Sequence, residues 1–396
     1  MIDFPIIKNI SDVLPYIEGR DEFLVADKEG YRVINYNVMF ADTFLHPEEE
    51  GISSVEKITR QIRRECRGLI FNSTTGDIIR RPFHKFKNVN EAPETQDHRI
   101  DLSRPHAILE KLDGSMISPF IVNGQMIWGT KMGSTDVAKP VEEFVARNPE
   151  YVRFAEEAIA NEWTPIFEWC SRKQRIVLDY FDDQLVLTAM RHMNTGSYAM
   201  HGNLEAIGLA YAIPVVRAFE PQTDMKAFIE YVRDMEDLEG FVVRFDDGHM
   251  IKLKCDWYVQ IHKAKEAILQ DRNIVEIILD EKLDDVKAHL PAEDRDRLTQ
   301  FEDDFNQSVF IASRIISLIL RGIQEQNMTR KTFALEHAPD LSPYTRTSVF
   351  SLWDINWDNF ASIEASVRNT IRNNLGRTAK YEAIRDAWFP GCVFNV

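Results

Sequence analysis

Strand-period runs and hairpin turns fill this chain up to about Tyr258, and from there to the end every apolar repeat has helical spacing. That division constrains the fold more than any single motif. Antiparallel sheets with flanking helices have to come from the front of the chain, and the remainder can pack only as helices. The expectation is an α+β protein with a domain over 1–265, including an N-terminal subdomain at about 1–100, and an all-α C-terminal domain over 266–396. With 396 residues, 44% of them hydrophobic, there is enough apolar mass for two or three cores.

Within the first part, 31–36 alternates at strand period, and a basic cluster at 60–67 leads into an apolar strand at 68–71. The runs 116–122 and 126–128 flank Asn123-Gly124, a strong hairpin signal. A long helix is expected over 141–163, ended by Pro165, and after it come apolar runs at 166–170, 175–178 and 185–190. Helices are expected at 203–211 and 224–235, then a tight hairpin over 239–254 that turns at Asp246-Asp247-Gly248. In the last part 259–269, 274–281, 295–326 and 363–375 read as helices. The apolar run 309–320 is too short to span a bilayer and carries Arg314, so it reads as a buried helix. Trp353 and Trp357 are expected in the core.

Three stretches carry chemistry. Glu110-Lys111-Leu112-Asp113-Gly114-Ser115 follows an apolar run; alone it reads as a turn with a solvated lysine, but partial burial beside other cations would make Lys111 a nucleophile. Arg80-Arg81-Pro82-Phe83-His84-Lys85-Phe86-Lys87-Asn88 interleaves basic and aromatic groups, which suits phosphates and stacked rings as well as it suits a solvated edge strand. On the strand 250–254, Lys252 and Lys254 share a face opposite Ile251 and Leu253, a pairing that calls for an anion between them or for open water. Glu168, inside an apolar strand, needs a partner or a ligand.

Composition bounds the partners. A net charge of -16 argues for a soluble protein and against one whose whole surface binds nucleic acid, while leaving room for a local basic groove. The scattered Cys66, Cys170, Cys255 and Cys392 form neither a zinc motif nor a disulfide framework, which fits a reducing cytoplasm. Residues 1–5 lack a basic-then-apolar pattern, so no export signal is expected, and no glycine-rich phosphate loop occurs.

Taken together these residues resemble the covalent nucleotidyltransferase superfamily of ATP-dependent ligases and capping enzymes, and within it the bacteriophage T4-type RNA ligase 1 family. Lys111 to Gly114 matches the superfamily's Lys-x-Asp-Gly, Phe167-Glu168-Trp169 with 175–180 resembles its third motif, and Glu239-Gly240-Phe241-Val242 and 252–258 look like its fourth and fifth. Family-specific likenesses extend to Tyr36, to Glu65-Cys66-Arg67-Gly68, to Arg81-Pro82-Phe83-His84-Lys85-Phe86, to Asp284-Asp285-Val286-Lys287 and to Arg330-Lys331-Thr332-Phe333-Ala334. Lys87 and Leu112 depart from the pattern, standing where the family has a phenylalanine and an acidic residue.

The resemblance implies a nucleotidyltransferase (ATP-grasp-like ligase) domain and an enzyme that joins RNA 3'-hydroxyl and 5'-phosphate ends through lysyl-AMP and RNA-adenylate. It implies Lys111 as nucleophile, and Tyr36, Arg67, Lys85, Lys131, Glu168, Glu239, Lys252 and Lys254 around ATP. Lys252 and Lys254 would depress the Lys111 pKa, and Arg67 and Lys85 would hold the outgoing phosphates. Mg2+, with Mn2+ as substitute, would be met by Asp284 with help from Glu168 and Glu239, either of which could instead bind the ribose. Asp113 would orient the lysine or reach a hydrated metal, with Tyr258 in support. The implied substrate is tRNA broken in its anticodon loop, selected by the C-terminal domain, in a cytoplasm (the host's, if phage-encoded), without a membrane or an obligate protein partner. An mRNA guanylyltransferase or DNA ligase sharing Lys-x-Asp-Gly, or an inactive RNA-end-binding protein, stands as the alternative; the first two usually place a β-rich domain where this chain is helical.

Overall fold

The computed structural model describes residues 3–394; the first two residues of the segment read for an export signal lie outside them. The chain divides into two compact units, 1–259 and 260–396.

Among the described residues the first unit holds thirteen strands. β1 (Phe23–Lys28), β2 (Tyr31–Tyr36), β3 (Leu69–Asn72) and β4 (Ile78–Arg80) form an antiparallel sheet in that order. β5 (Lys87–Asn88) and β6 (His106–Glu110) come next, then the hairpin β7 (Ser115–Val122) and β8 (Gln125–Gly129), with Asn123 at φ 51° and Gly124 at φ 77° in its turn. β9 (Trp163–Cys170) and β10 (Gln184–His192) join that hairpin in a second sheet, ordered β10-β9-β7-β8. β11 (Ala218–Phe219), β12 (Gly240–Phe245) and β13 (Met250–Lys254) complete a third, ordered β11-β6-β12-β13-β5, in which only β5 runs parallel to its neighbour. The chain therefore steps from the third sheet to the second across Lys111 to Gly114, between β6 and β7.

The structure corrects two expectations. The helix expected over 141–163 is two, Lys139–Arg147 and Pro149–Ala160, because Pro149 has no N–H to give and drives Asn148 out of helical geometry. Trp163 already begins β9, and Pro165 lies inside that strand opposite Met190. The run 175–178 is not a strand: the Val177 and Leu178 N–H groups both donate to Asp113 Oδ2 at 2.7 Å, so they are taken from any ladder by a side chain.

Among the described residues the second unit contains helices and no strands, the longest being Ala292–Glu325. Its core gathers Phe301, Phe305, Val309, Ile316 and Leu320 with Ile363, Val367 and Ile384, and Trp353 and Trp357 pack partly buried against it. The run 309–320 is only half buried, since Phe310, Ile311, Ile315 and Leu318 are each about half exposed on the opposite face of the helix. No described helix is long and apolar enough to cross a membrane.

Arg80 and Arg81, read from sequence as phosphate candidates, are fully buried and spent on structure. Arg80 donates to the carbonyls of Gly68 and Thr130 at 2.9 Å, and burial pushes its guanidinium down to about 9. Arg81 and Arg191 both close on Glu65, at 3.1 and 2.7 Å, and reach carbonyls of Pro5, Asn194, Gly196 and Pro82.

Candidate active site

A cavity of about 320 Å³ opens in the first unit with residues from all three sheets around it. Lys111, immediately after β6, is tied at its backbone to Gly240 O at 2.9 Å, and its Nζ lies 2.6 Å from Glu239 Oε2. The other oxygen of Glu239 takes Lys254 Nζ at 2.9 Å. The anion that Lys254 needs is therefore supplied from within, and the same Glu239 meets the Lys111 ammonium. Two glycines permit this approach. A Cβ at Gly114 would stand 2.3 Å from Trp169 O, and one at Gly240, which has φ 141°, would stand 2.0 Å from Leu253 O.

Lys252, on the same strand face as Lys254, has no carboxylate partner among the described residues; its Nζ stands 5.2 Å from the Phe86 ring centroid. Burial, reinforced by Lys111, Lys85 and Arg67, pushes it down to about 7. Lys85 arrives because β5 docks parallel on β13, and its Nζ lies 5.2 Å from the Tyr36 ring centroid, with exposed Lys131 at 5.4 Å from the same ring. Burial alone would raise the Tyr36 phenol, but Lys85, Arg67 and Lys131 hold it below its usual range. Arg67 lines the cavity with its Nη1 3.6 Å from Met116 Sδ. Leu109, Leu112, Val216 and Val242 add an apolar lining suited to a flat ring. Lys87 turns away to Glu94 at 3.5 Å and does not line the cavity, so this departure from the family pattern leaves the site's charge intact.

Both carboxylate oxygens of Asp113 are engaged by partners other than Lys111. Its Oδ1 accepts from the Tyr258 hydroxyl at 2.6 Å, its Oδ2 accepts from Val177 and Leu178, and its own N–H donates to the Tyr180 hydroxyl at 2.9 Å. It is a clamp that fixes the turn carrying Lys111. Asp113→Ala leaves two N–H groups and a buried hydroxyl without their acceptor, so it is expected to cost about 2–4 kcal/mol in urea unfolding.

Glu168, on β9 beside the cavity, is driven up to about 8 by burial, with Lys111 opposing and Glu239 adding to the rise. Its folded pKa lies above the unfolded value, so its contribution is complete below about pH 4.5 and is lost as pH rises toward 8. Glu168→Gln is therefore expected to flatten the fall in stability between pH 5 and pH 8 by roughly 1–3 kcal/mol, read from melting curves across that range.

Asp284 lies in the second unit, in the first turn of the helix Leu283–Lys287, and is not among the cavity residues. Among the described residues no group of three or more His, Cys, Asp or Glu side chains is arranged to hold a metal. Of the carboxylates, Glu110 and Glu168 line the cavity, and both oxygens of Glu239 are taken by Lys111 and Lys254, so a Mg2+ ion here would be held mainly by substrate phosphates and water. Sequence reasoning missed Thr188 and Arg244 in the cavity wall, and missed Glu65 as the buried anchor two residues before Arg67.

A lysine on a sheet-to-sheet crossover, beside other cations and an apolar lining, is the arrangement that covalent nucleotidyl transfer requires. Residues 65–258 match the family model described as RNA ligase. That span is just under half of the chain, and over it the chain is similar to RNA ligases of the T4 type. It is 28% identical over 335 residues to a putative RNA ligase of Thermovibrio ammonificans, covering 81% of this chain and 82% of that protein. It is 26% identical over 240 residues to RNA ligase 1 of bacteriophage TS2126, covering 57% of this chain and 58% of the phage protein. Among solved structures, an archaeal ATP-dependent RNA ligase matches with a TM-score of 0.46 at 14% identity, over 64% of this chain and 63% of that one.

Proposed function

We propose that this RNA ligase joins an RNA 3'-hydroxyl to a 5'-phosphate in three transfers, with Lys111 as the residue that carries AMP. The observation that supports this most directly is the placement of Lys111 Nζ against Glu239, inside a cavity that also presents Arg67, Lys85, Lys252 and Lys254.

Lys111 must shed a proton before it attacks, and the Glu239 carboxylate at 2.6 Å is placed to take it. The amine then forms a bond to the α-phosphorus of ATP while the bond to the β-phosphate oxygen breaks, releasing pyrophosphate and leaving lysyl-AMP. Arg67, Lys85 and Lys252 meet the phosphates, and the lining of Leu109, Leu112, Val216 and Val242 holds the base. Mg2+, when bound, spreads the charge of the transferring phosphates. In the second transfer the RNA 5'-phosphate oxygen displaces Lys111 from AMP; in the third the 3'-hydroxyl oxygen attacks that 5'-phosphate and AMP departs.

Incubation with ATP, Mg2+ and 5'-phosphorylated RNA is expected to give lysyl-AMP, adenylated RNA and sealed or circular product. Labelling by GTP and not by ATP would overturn the reading in favour of capping chemistry. The substrate is proposed to be tRNA broken in its anticodon loop, selected with the help of the helical unit 260–396. The full chain should then seal a nicked anticodon stem-loop with a higher kcat/KM than an unstructured RNA of equal length, and equal values would end the tRNA assignment.

A further inference from the structure

Beyond the nucleotide cavity lies a second one of about 210 Å³, and Arg244 on β12 lines both. Arg244 is only 5% exposed, and among the described residues neither of its terminal nitrogens, Nη1 and Nη2, has a hydrogen-bond partner. A guanidinium left that way is costly to bury, and burial pushes it down to about 10. The second cavity is also lined by Met200, His201 and Gly202, the amino end of the eleven-residue helix His201–Tyr211. Met200 stands at the N-cap and offers no side-chain acceptor, so the first N–H groups of that helix also lack a cap. His201 packs beside them, its side chain 11% exposed and its Nε2 3.5 Å from Glu205. The carboxylates on the lining belong to Asp246 alone, which makes no ion pair with Arg244. A buried guanidinium without an acceptor and a helix end without a side-chain cap thus converge on one cavity.

We propose that this second cavity binds a phosphate group, with Arg244 and the amino end of the helix His201–Tyr211 as its donors. The group comes either from the backbone of an RNA strand or from free inorganic phosphate. The site is separate from the lysine that carries AMP, and the inference does not rest on the ligation reading. Because Arg244 also borders the nucleotide cavity, occupancy of one site is felt at the wall of the other.

The test is a calorimetric titration of the full chain with inorganic phosphate, comparing wild type with R244Q and M200D. R244Q removes the fork. M200D leaves the nucleotide cavity untouched and puts a capping carboxylate on the helix end, so it fills the site from within while favouring the fold. Each substitution is expected to weaken phosphate binding at this site about tenfold or more, with M200D melting no lower than wild type. Phosphate affinity within about twofold of wild type in M200D overturns the proposal even if R244Q fails to fold. The source is then separated with a 5'-hydroxyl RNA oligonucleotide: phosphate that competes with it in wild type and not in M200D assigns the site to the RNA backbone, and phosphate that binds alongside it assigns the site to the free ion.

Discussion

Lys111→Ala is expected to leave no protein-bound AMP after incubation with labelled ATP and Mg2+, a loss of at least about 10⁴-fold in the first transfer. The interest of this variant lies in what it spares. Glu239 keeps Lys254 at 2.9 Å, so deleting the ammonium does not strand a buried carboxylate. The backbone N–H of residue 111 still reaches Gly240 O, and the Asp113 clamp on Val177, Leu178 and Tyr258 is untouched. Melting within about 1 kcal/mol of wild type is therefore expected. Arg67, Lys85 and Lys252 remain, so ATP still binds without reacting. RNA supplied already adenylated carries its own activated phosphate, and the variant should seal it. Lysyl-AMP formed at a wild-type level by Lys111→Ala would remove Lys111 from the mechanism, whereas a loss of sealing on pre-adenylated RNA would show that the side chain also serves the third transfer.

The candidate residues were easier to read from the sequence than the contacts that support them. Lys111, Glu168, Glu239, Lys252 and Lys254 stand in or beside strands whose alternation and glycine turns are local signals, and the face shared by Lys252 and Lys254 reflects a period of two. The hairpins and the change to helices after Tyr258 were legible for the same reason. What could not be read depends on contacts distant in the chain. Nothing near 175–178 says that its N–H groups belong to Asp113 more than sixty residues earlier. Arg80 and Arg81 look like surface cations because basic residues usually are; only the fold brings Gly68, Thr130 and Glu65 around them. Asp113 lies within a nucleophile motif yet acts through packing, and Arg244 was hidden in an apolar strand that also meets a second cavity.

Glu65→Gln is expected to lower stability by about 3–5 kcal/mol at pH 7, measured by circular dichroism in urea. Glu65 ends the helix Ser54–Glu65 almost fully buried, and Arg81 and Arg191 close on it with side chains that are 0% exposed. Burial by itself would raise its pKa, but Arg191 and then Arg81 hold the carboxylate at about 2. Glutamine keeps the shape while leaving two buried guanidinium groups facing a neutral amide. The folded pKa lies below the unfolded one, so the stabilisation is whole above about pH 4.5 and is lost as pH falls through 2. Wild type and variant should accordingly converge on acidification, because the proton does to Glu65 what the substitution does. A gap that stays constant from pH 7 to pH 3 would place the cost in packing and not in charge. The same anchor sets the site. Arg67 comes two residues after Glu65 and enters the cavity directly from that helix end, so variant protein that stays folded at low temperature should show a raised KM for ATP with less change in kcat.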